Sequence, residues 1–300
     1  MITHLRDAIR RHSEGRAYER NVVRTQIPGM TLVRTSRKGE LQAAVQRPLI
    51  CVVAQGAKQV AVGSETVEFR AGDSMLLTGD APTLTRIVEA SASEPYLSFA
   101  LDLDSAVVAG LAAEMDPAST AARVGPRSTD AMVADAARRL VALLDCPDDI
   151  PILQNQLVRE IHYWLLAGHR GQAVRSLAVT DSHASRIGRA VRLIRKDYAL
   201  PLSVACLAVE AGMSLSTFHQ HFRTVTGHSP LQFQKQLRLI EARRLMLSER
   251  ITPSMAAYAV GYASVPQFSR EYRRLFGMPP ASEARQALAS HGPAQESSGP

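Results

Sequence analysis

Cysteine is almost missing from this chain of 300 residues: three are present, at positions 51, 146 and 206. They stand singly, at no redox or metal spacing, which excludes a disulfide framework and predicts a reducing, cytoplasmic setting. Long apolar runs are missing too. None reaches the roughly 18 residues of a membrane span, and the first twenty residues are charged throughout, without the apolar core of an export signal. No G-x-S-x-G and no phosphate loop occurs. What the chain does have is 46% hydrophobic residues, enough to bury cores in about two ordinary domains, and a formal charge of +7.

That charge is unevenly spread. Residues 1–185 hold 20 Lys and Arg against 21 Asp and Glu, whereas residues 186–300 hold 15 against 7. The whole surplus lies in the last 115 residues, mostly as arginine. A surface built only for solubility mixes the signs. A one-sided surplus points to a polyanion, with nucleic acid foremost.

Patterning divides the chain in the same place. Residues 1–24 read as a short charged helix or arm. From Thr31 to about Leu103, runs such as LICVVAQ, KQVAV, TVEFR and SMLLT alternate between glycines, predicting an antiparallel barrel or sandwich. After Asp104 the period becomes helical, with breaks at Pro117, Pro126 and Pro147. Residues 25–170 thus form one domain, and a looser stretch at 171–182 is the expected linker. Residues 183–287 read as all helix, and 288–300 as a disordered tail.

An internal repeat organises the basic half. Gly212, Phe218, Phe222, Gly227 and Pro230 recur as Gly261, Phe268, Tyr272, Gly277 and Pro280, offset by 49 residues at the first glycine and 50 thereafter. Each unit has a short helix, a glycine turn, a capping serine (Ser214; Ser264) and a second helix that buries aromatics at i and i+4. This is a helix-turn-helix written twice. Between the copies, an apolar helix from Pro230 to about Glu249 is placed to join them, with Leu231, Phe233, Leu237, Leu239, Ile240, Leu245 and Met246. Its length of about 30 Å is close to one DNA turn of about 34 Å.

With the aromatics inward, the first recognition helix presents Ser216, Thr217, His219, Gln220 and Arg223. The second presents Val265, Gln267, Ser269, Arg270 and Arg273. Gln220 and Gln267 suit adenine, Arg270 suits guanine, Val265 suits a thymine methyl, and Arg223, Arg273 and Arg274 suit phosphates. His219, His221 and His228 lack the carboxylate or cysteine partners of a metal site, and Cys206 reads as a small core residue.

These motifs resemble the DNA-binding domain of the AraC/XylS family of bacterial transcription regulators. The match rests on A-x-x-A-G-M-S, F-x-x-x-F-x-x-x-T-G-x-S-P, A-R-R-L-M and V-G-Y…F-S-R-x-Y-R-R-x-F-G-x-P-P, over about residues 184–282. The resemblance implies a seven-helix module that binds two major-groove segments, led by a scaffold helix carrying Ile187, Val191 and Ile194. The stretches LICVVAQGAKQVAVGSETVEFRAGDSMLLTGDAPT and PYLSFALDLD resemble the family's N-terminal domain, a cupin-like β-barrel with trailing helices. Its metal-dependent enzyme cousins need an H-x-H pair and a Glu in the early strands, and no histidine lies between His12 and His162. The Glu160-Ile161-His162 triplet reads as part of a helix packed on the barrel.

The expected fold class is therefore α+β: a cupin-like barrel with helices, then an all-α double helix-turn-helix domain. In the family the barrel binds a small effector or pairs two subunits. Inward residues that would line such a pocket are Val52, Val60, Val62, Phe69, Met75, Leu77 and Phe99. The function implied is a cytoplasmic, sequence-specific transcription regulator, an activator by family tendency. Its implied partners are double-stranded DNA, RNA polymerase, a small-molecule effector and a second copy of the chain. No catalytic residue, metal, cofactor or membrane association is assigned. Two alternatives differ in class. A stress or damage sensor with a reactive cysteine needs a cationic or metal-ligating neighbour, which the sequence shows for none of the three cysteines. A low-specificity architectural binder predicts steep salt dependence and little sequence preference.

Overall fold

Strand β4 runs through Gly56 almost directly into β5, yet the two strands belong to different sheets. Gly56 turns the corner at φ +76°, where a Cβ would stand 2.4 Å from the Glu89 carbonyl oxygen. Only glycine fits there. The computed structural model describes residues 2–14, 22–39, 41–63, 65–115, 127–128, 130–178 and 183–290.

Ten strands are described: β1 (Val22–Arg24), β2 (Met30–Thr35), β3 (Leu41–Gln46), β4 (Leu49–Gln55), β5 (Ala57–Val62), β6 (Glu65–Arg70), β7 (Asp73–Leu77), β8 (Ala81–Glu89), β9 (Tyr96–Asp102) and β10 (Arg127–Ser128). They form two antiparallel sheets, ordered β1-β2-β9-β4-β7-β10 and β3-β8-β5-β6. The expected barrel is thus an open pair of facing sheets. Leu49, Cys51, Val53, Val60, Phe69, Met75, Leu77, Ile87 and Tyr96 fill the space between them.

The larger sheet is buried on its other face as well. Ile50, Val52, Ala54, Leu97, Phe99 and Leu101 pack against helices α1 (Ile2–Ser13), α2 (Ser105–Glu114), α3 (Ala131–Ala142) and α4 (Ile150–Ala167). Val52 and Phe99 therefore face the helices, not the inter-sheet space, which corrects two of the seven expected pocket residues. The charged N-terminal segment is no free arm. Leu5, Ala8 and Ile9 of α1 are fully buried in the same core. Residues 15–21 of that segment, like Pro117 and Pro126, lie outside the described residues.

The expected linker is largely structured. Helix α5 (Gly171–Ala178) packs on α2 and α4 with Val174 buried, leaving 179–182 outside the described residues. Seven helices follow: α6 (His183–Lys196), α7 (Val204–Glu210), α8 (Leu215–Thr226), α9 (Pro230–Ser248), α10 (Pro253–Ala259), α11 (Val265–Phe276) and α12 (Pro280–Ser290). Of the expected tail, 288–290 belong to α12 and 291–300 lie outside the described residues.

Helix α9 joins the two helix-turn-helix units as its apolar sequence predicts. Phe233 enters the core of the first unit, while Leu239, Ala242 and Met246 enter that of the second. Leu231, in contrast, is exposed. The smaller sheet lies against this helical half: Val45 reaches the first core, and Leu41, Ala43 and Leu84 reach the second. No helix among the described residues is long and apolar enough to cross a membrane.

Candidate nucleic-acid interface

Both recognition helices are set by the same local chemistry. Ser214 Oγ accepts from the Thr217 amide at 3.3 Å, and Ser264 Oγ from the Gln267 amide at 3.4 Å. These bonds satisfy amides that a helix start leaves free. At the other ends, Gly227 and Gly277 adopt φ of +74° and +82°, the left-handed C-cap that glycine takes without a Cβ penalty. The turn glycines, Gly212 and Gly261, are also left-handed.

The buried faces are aromatic. Phe218 and Phe222 are fully buried, with Phe233 of α9 meeting Phe222 edge-on at 5.7 Å. In the second unit, Phe268 and Tyr272 are fully buried, and Tyr262 meets Phe268 edge-on at 5.4 Å. Burying one face of each helix fixes which residues point outward. Ser216, His219, Gln220 and Arg223 on α8 are exposed, as are Gln267, Arg270 and Arg273 on α11. Thr217, Val265 and Ser269 are half-buried. Thr217 Oγ1 accepts from Ser214 Oγ at 2.8 Å, so its hydroxyl is partly engaged in the cap.

The basic surplus of this half does two different jobs. Arg238 donates to the carbonyls of Tyr198, Ala199, Leu200 and Gly261, tying α9 to the loops around it. Arg243 pairs with Glu283 at 2.6 Å, and Arg244 bridges Glu241 and Glu249. Arg223, Arg270 and Arg273, by contrast, pair with no carboxylate among the described residues, and all three lie on the recognition helices. Cations free of a carboxylate are thus present where a phosphate backbone would approach.

Three features carry no signal in the sequence. Glu271, on α11, gathers Lys235 Nζ (2.9 Å), Tyr262 Oη (2.8 Å) and Gln267 Nε2 (3.2 Å). Burial works to raise its pKa, but these three donors outweigh it and hold the carboxyl below the ordinary range. His183 and His221 stack at 3.7 Å, joining α6 to α8. Among the described residues, no three His, Cys, Asp or Glu side chains form a metal cluster.

Cys51 is the third. Its Sγ lies 3.0 Å from Nζ of Lys58, so one cysteine does have the cationic neighbour that the sequence did not reveal. Cys206, expected in the core, is exposed on α7, as is Cys146 ahead of α4.

Comparison with known proteins gives matches in both halves. A family model described as the AraC-type transcriptional regulator N-terminus matches residues 26–173, and a helix-turn-helix domain model matches residues 207–286. The virulence regulon transcriptional activator VirF of Yersinia enterocolitica is 26% identical over 165 residues, 54% of this chain and 59% of that protein. The HTH-type transcriptional activator RhaS of Pectobacterium carotovorum is 28% identical over 96 residues, 32% of this chain and 34% of that protein. The chain thus spans less than two thirds of the length of these relatives. Among solved structures, ToxT from Vibrio cholerae superposes with a TM-score of 0.54 at 12% identity, covering 90% of this chain and 99% of that one. ToxT bound to an unsaturated fatty acid gives 0.56 at 12% identity, covering 87% and 97%. These two likenesses concern the fold.

Proposed function

The chain belongs to the AraC/XylS family of transcriptional regulators, and on that premise we propose that it is a cytoplasmic, sequence-specific activator that reads two adjacent major-groove segments of double-stranded DNA. Helix α8 reads one segment through Ser216, Thr217, His219, Gln220 and Arg223. Helix α11 reads the other through Val265, Gln267, Ser269, Arg270 and Arg273. The observation that carries this reading is the pairing of two equally capped helices whose outward faces hold unpaired arginines beside amides and hydroxyls. Phosphate attraction comes from Arg223 and Arg273, and base discrimination comes from the Gln220 and Gln267 amides and the Arg270 fork.

Activation is supported by VirF and RhaS, both named as activators, and contact with RNA polymerase is the route the family resemblance implies. The two-sheet half, which matches the family's N-terminal model, serves as the sensing and pairing unit; ToxT, of like fold, has been solved with an unsaturated fatty acid bound. An effector there would meet Val60, Val62, Phe69, Met75 and Leu77, whose side chains border the inter-sheet space. Binding would shift the population of conformers that present the two recognition helices.

Selection of binding sites from random duplexes tests the proposal. Enrichment of a bipartite motif, with its parts about one helical turn apart, is expected. Binding with no enriched motif, and with steep salt dependence alone, would leave an architectural DNA binder in its place.

A further inference from the structure

The inter-sheet core contains a buried lysine. Lys58, on β5, is 6% exposed, and among the described residues no carboxylate is bonded to it. Its Nζ instead meets Sγ of Cys51, on β4 of the facing sheet, at 3.0 Å. The Tyr96 hydroxyl, on β9, borders the same point. Tyr96 is 1% exposed, and its hydroxyl faces Lys58 and Ser98. With the buried Ser98 hydroxyl, four polar groups thus share a mostly apolar layer.

An ammonium taken out of water needs a compensating charge close by. Here the group that faces it is the Cys51 sulfur, at 3.0 Å. Burial alone would push the Lys58 pKa down. The Cys51 and Tyr96 side chains beside it outweigh burial and raise it. Burial pushes the Tyr96 phenol up to about 12, so at neutral pH it stays a hydroxyl. The thiolate is the nucleophilic and oxidisable form of cysteine, and a cationic neighbour is what stabilises it.

We propose that Cys51 and Lys58 form a peroxide-reactive pair that closes into a sulfur–nitrogen crosslink between the two sheets. In the first step the Cys51 thiolate attacks one oxygen of hydrogen peroxide and the O–O bond breaks. Lys58 gives a proton to the departing hydroxide, which leaves as water. Cys51 is now a sulfenic acid and Lys58 a neutral amine. In the second step the amine lone pair attacks the sulfenic sulfur and the S–O bond breaks. The hydroxyl leaves with an amine proton as a second water. Sulfur has lost two electrons, and one peroxide has become two waters. Sulfenic acids condense with nitrogen nucleophiles in this way, and the amine at 3.0 Å is already in place.

The position gives the bond a consequence. It would fix the spacing of the two sheets, and the smaller sheet carries Leu41, Ala43 and Val45 against the helical half. Cys51 is 4% exposed, so the reaction selects small oxidants over bulky electrophiles.

The test uses the full chain with Cys146→Ser and Cys206→Ser, treated with hydrogen peroxide, digested with trypsin and weighed. Crosslinked Lys58 resists trypsin, so a peptide spanning 39–70 should appear, about 2 Da lighter than its sequence and restored by dithiothreitol. In the same background, Lys58→Met should lose the light peptide, and Cys51, without its cation and proton donor, should oxidise more slowly. The proposal is overturned if Cys51 stays unmodified under conditions that oxidise the exposed cysteines of the unmodified chain. It is equally overturned if Cys51 gains oxygen while cleavage at Lys58 persists, or if Lys58→Met still yields the light peptide. None of these outcomes bears on DNA recognition, which the duplex selection tests separately.

Discussion

Arg195 on α6 pairs with Asp80, in the turn between β7 and β8, at 2.8 Å, and the same guanidinium donates to the carbonyls of Val45 at 3.0 Å and Gln46 at 3.3 Å. One side chain therefore anchors the helical half to the smaller sheet at three points. A cavity of about 530 Å³ lies beside it, also lined by Arg47 and Arg192.

The ion pair itself should contribute less than its geometry suggests. Burial pushes the Asp80 carboxyl up despite the nearby Arg195, Arg47 and Arg192, and pushes the Arg195 guanidinium down despite Asp80. Both partners thus lose hydration in exchange for the charge they present to each other. Asp80→Asn is expected to change stability by less than about 1 kcal/mol, because the amide keeps the contact and removes a costly charge. Arg195→Met removes the two carbonyl bonds as well and should cost about 1–3 kcal/mol. Urea midpoints of the two variants should separate in that order.

The recognition helices predict a different split, between two neighbouring arginines. Arg270 and Arg273 are both exposed on α11, one within its first two turns and the other a turn later. Arg270→Ala should cost about 1–3 kcal/mol on the preferred duplex and relax preference at one base position. Arg273→Ala should weaken all duplexes alike and lower the slope of log affinity against log salt by about one. Titrations at several salt concentrations, on matched and scrambled duplexes, check this. Identical behaviour of the two variants would mean that the outward face has been assigned wrongly.

The helical half was readable because its signals are local. Ser214 and Ser264 lie three residues before the amides they cap, and Phe218 and Phe222 lie one turn apart, so sequence distance and spatial distance agree. The sheet half was readable only as a class. Every residue of β4 from Leu49 to Ala54 is buried. With both faces covered, the alternation that would mark the inner face is gone, and the sequence alone puts Val52 on the wrong side. Cys51 and Lys58 are seven residues apart in sequence, but they meet only because Gly56 sends β5 into the opposite sheet. The use of Arg238 as a carbonyl clamp was likewise illegible, since its partners at 198–200 and 261 come from distant loops.

His162 makes the stability of the sheet half depend on pH. It is fully buried on α4, with Nδ1 2.7 Å from the Val158 carbonyl and Nε2 accepting the Asp104 amide at 3.0 Å. Those two bonds require the neutral ring with its proton on Nδ1. Burial holds its pKa below that of a free histidine, so the unfolded chain binds the extra proton more readily. The stabilisation is complete above the unfolded value, near 6.5, and is lost as pH falls below it. Denaturation midpoints from pH 7.5 down to 5.5 should fall with a slope of up to about 1.4 kcal/mol per pH unit from this group. His162→Gln should be less stable at pH 7.5 but show a flatter profile.

Glu271 offers the sharpest test of how the second recognition helix is tuned. The carboxylate holds the Gln267 amide nitrogen on one oxygen, shared with Lys235, and the Tyr262 hydroxyl on the other. It therefore orients a base-reading side chain while placing a negative charge on a helix meant to meet phosphates. Orientation favours discrimination, because an amide held in one pose loses less freedom on binding the right base. The charge works against every duplex equally. Glu271→Gln should remove both effects at once. Affinity for scrambled DNA should rise at low salt, since one repulsive charge is gone and Lys235 is released to the backbone. Preference at the position read by Gln267 should fall, so the ratio of matched to scrambled affinity shrinks even as binding overall tightens. Stability should drop by about 1–2 kcal/mol, because the Lys235 ion pair is lost and a single amide oxygen cannot serve Tyr262 and Gln267 together. Because the carboxyl is held below its ordinary range, that difference from the unmodified chain should be full at neutral pH and vanish as pH falls through the folded-state value. Competition binding at two salt concentrations, with melting curves at pH 7 and pH 4, would register each of these. If matched and scrambled duplexes gained equally, Gln267 would not be a reader of bases.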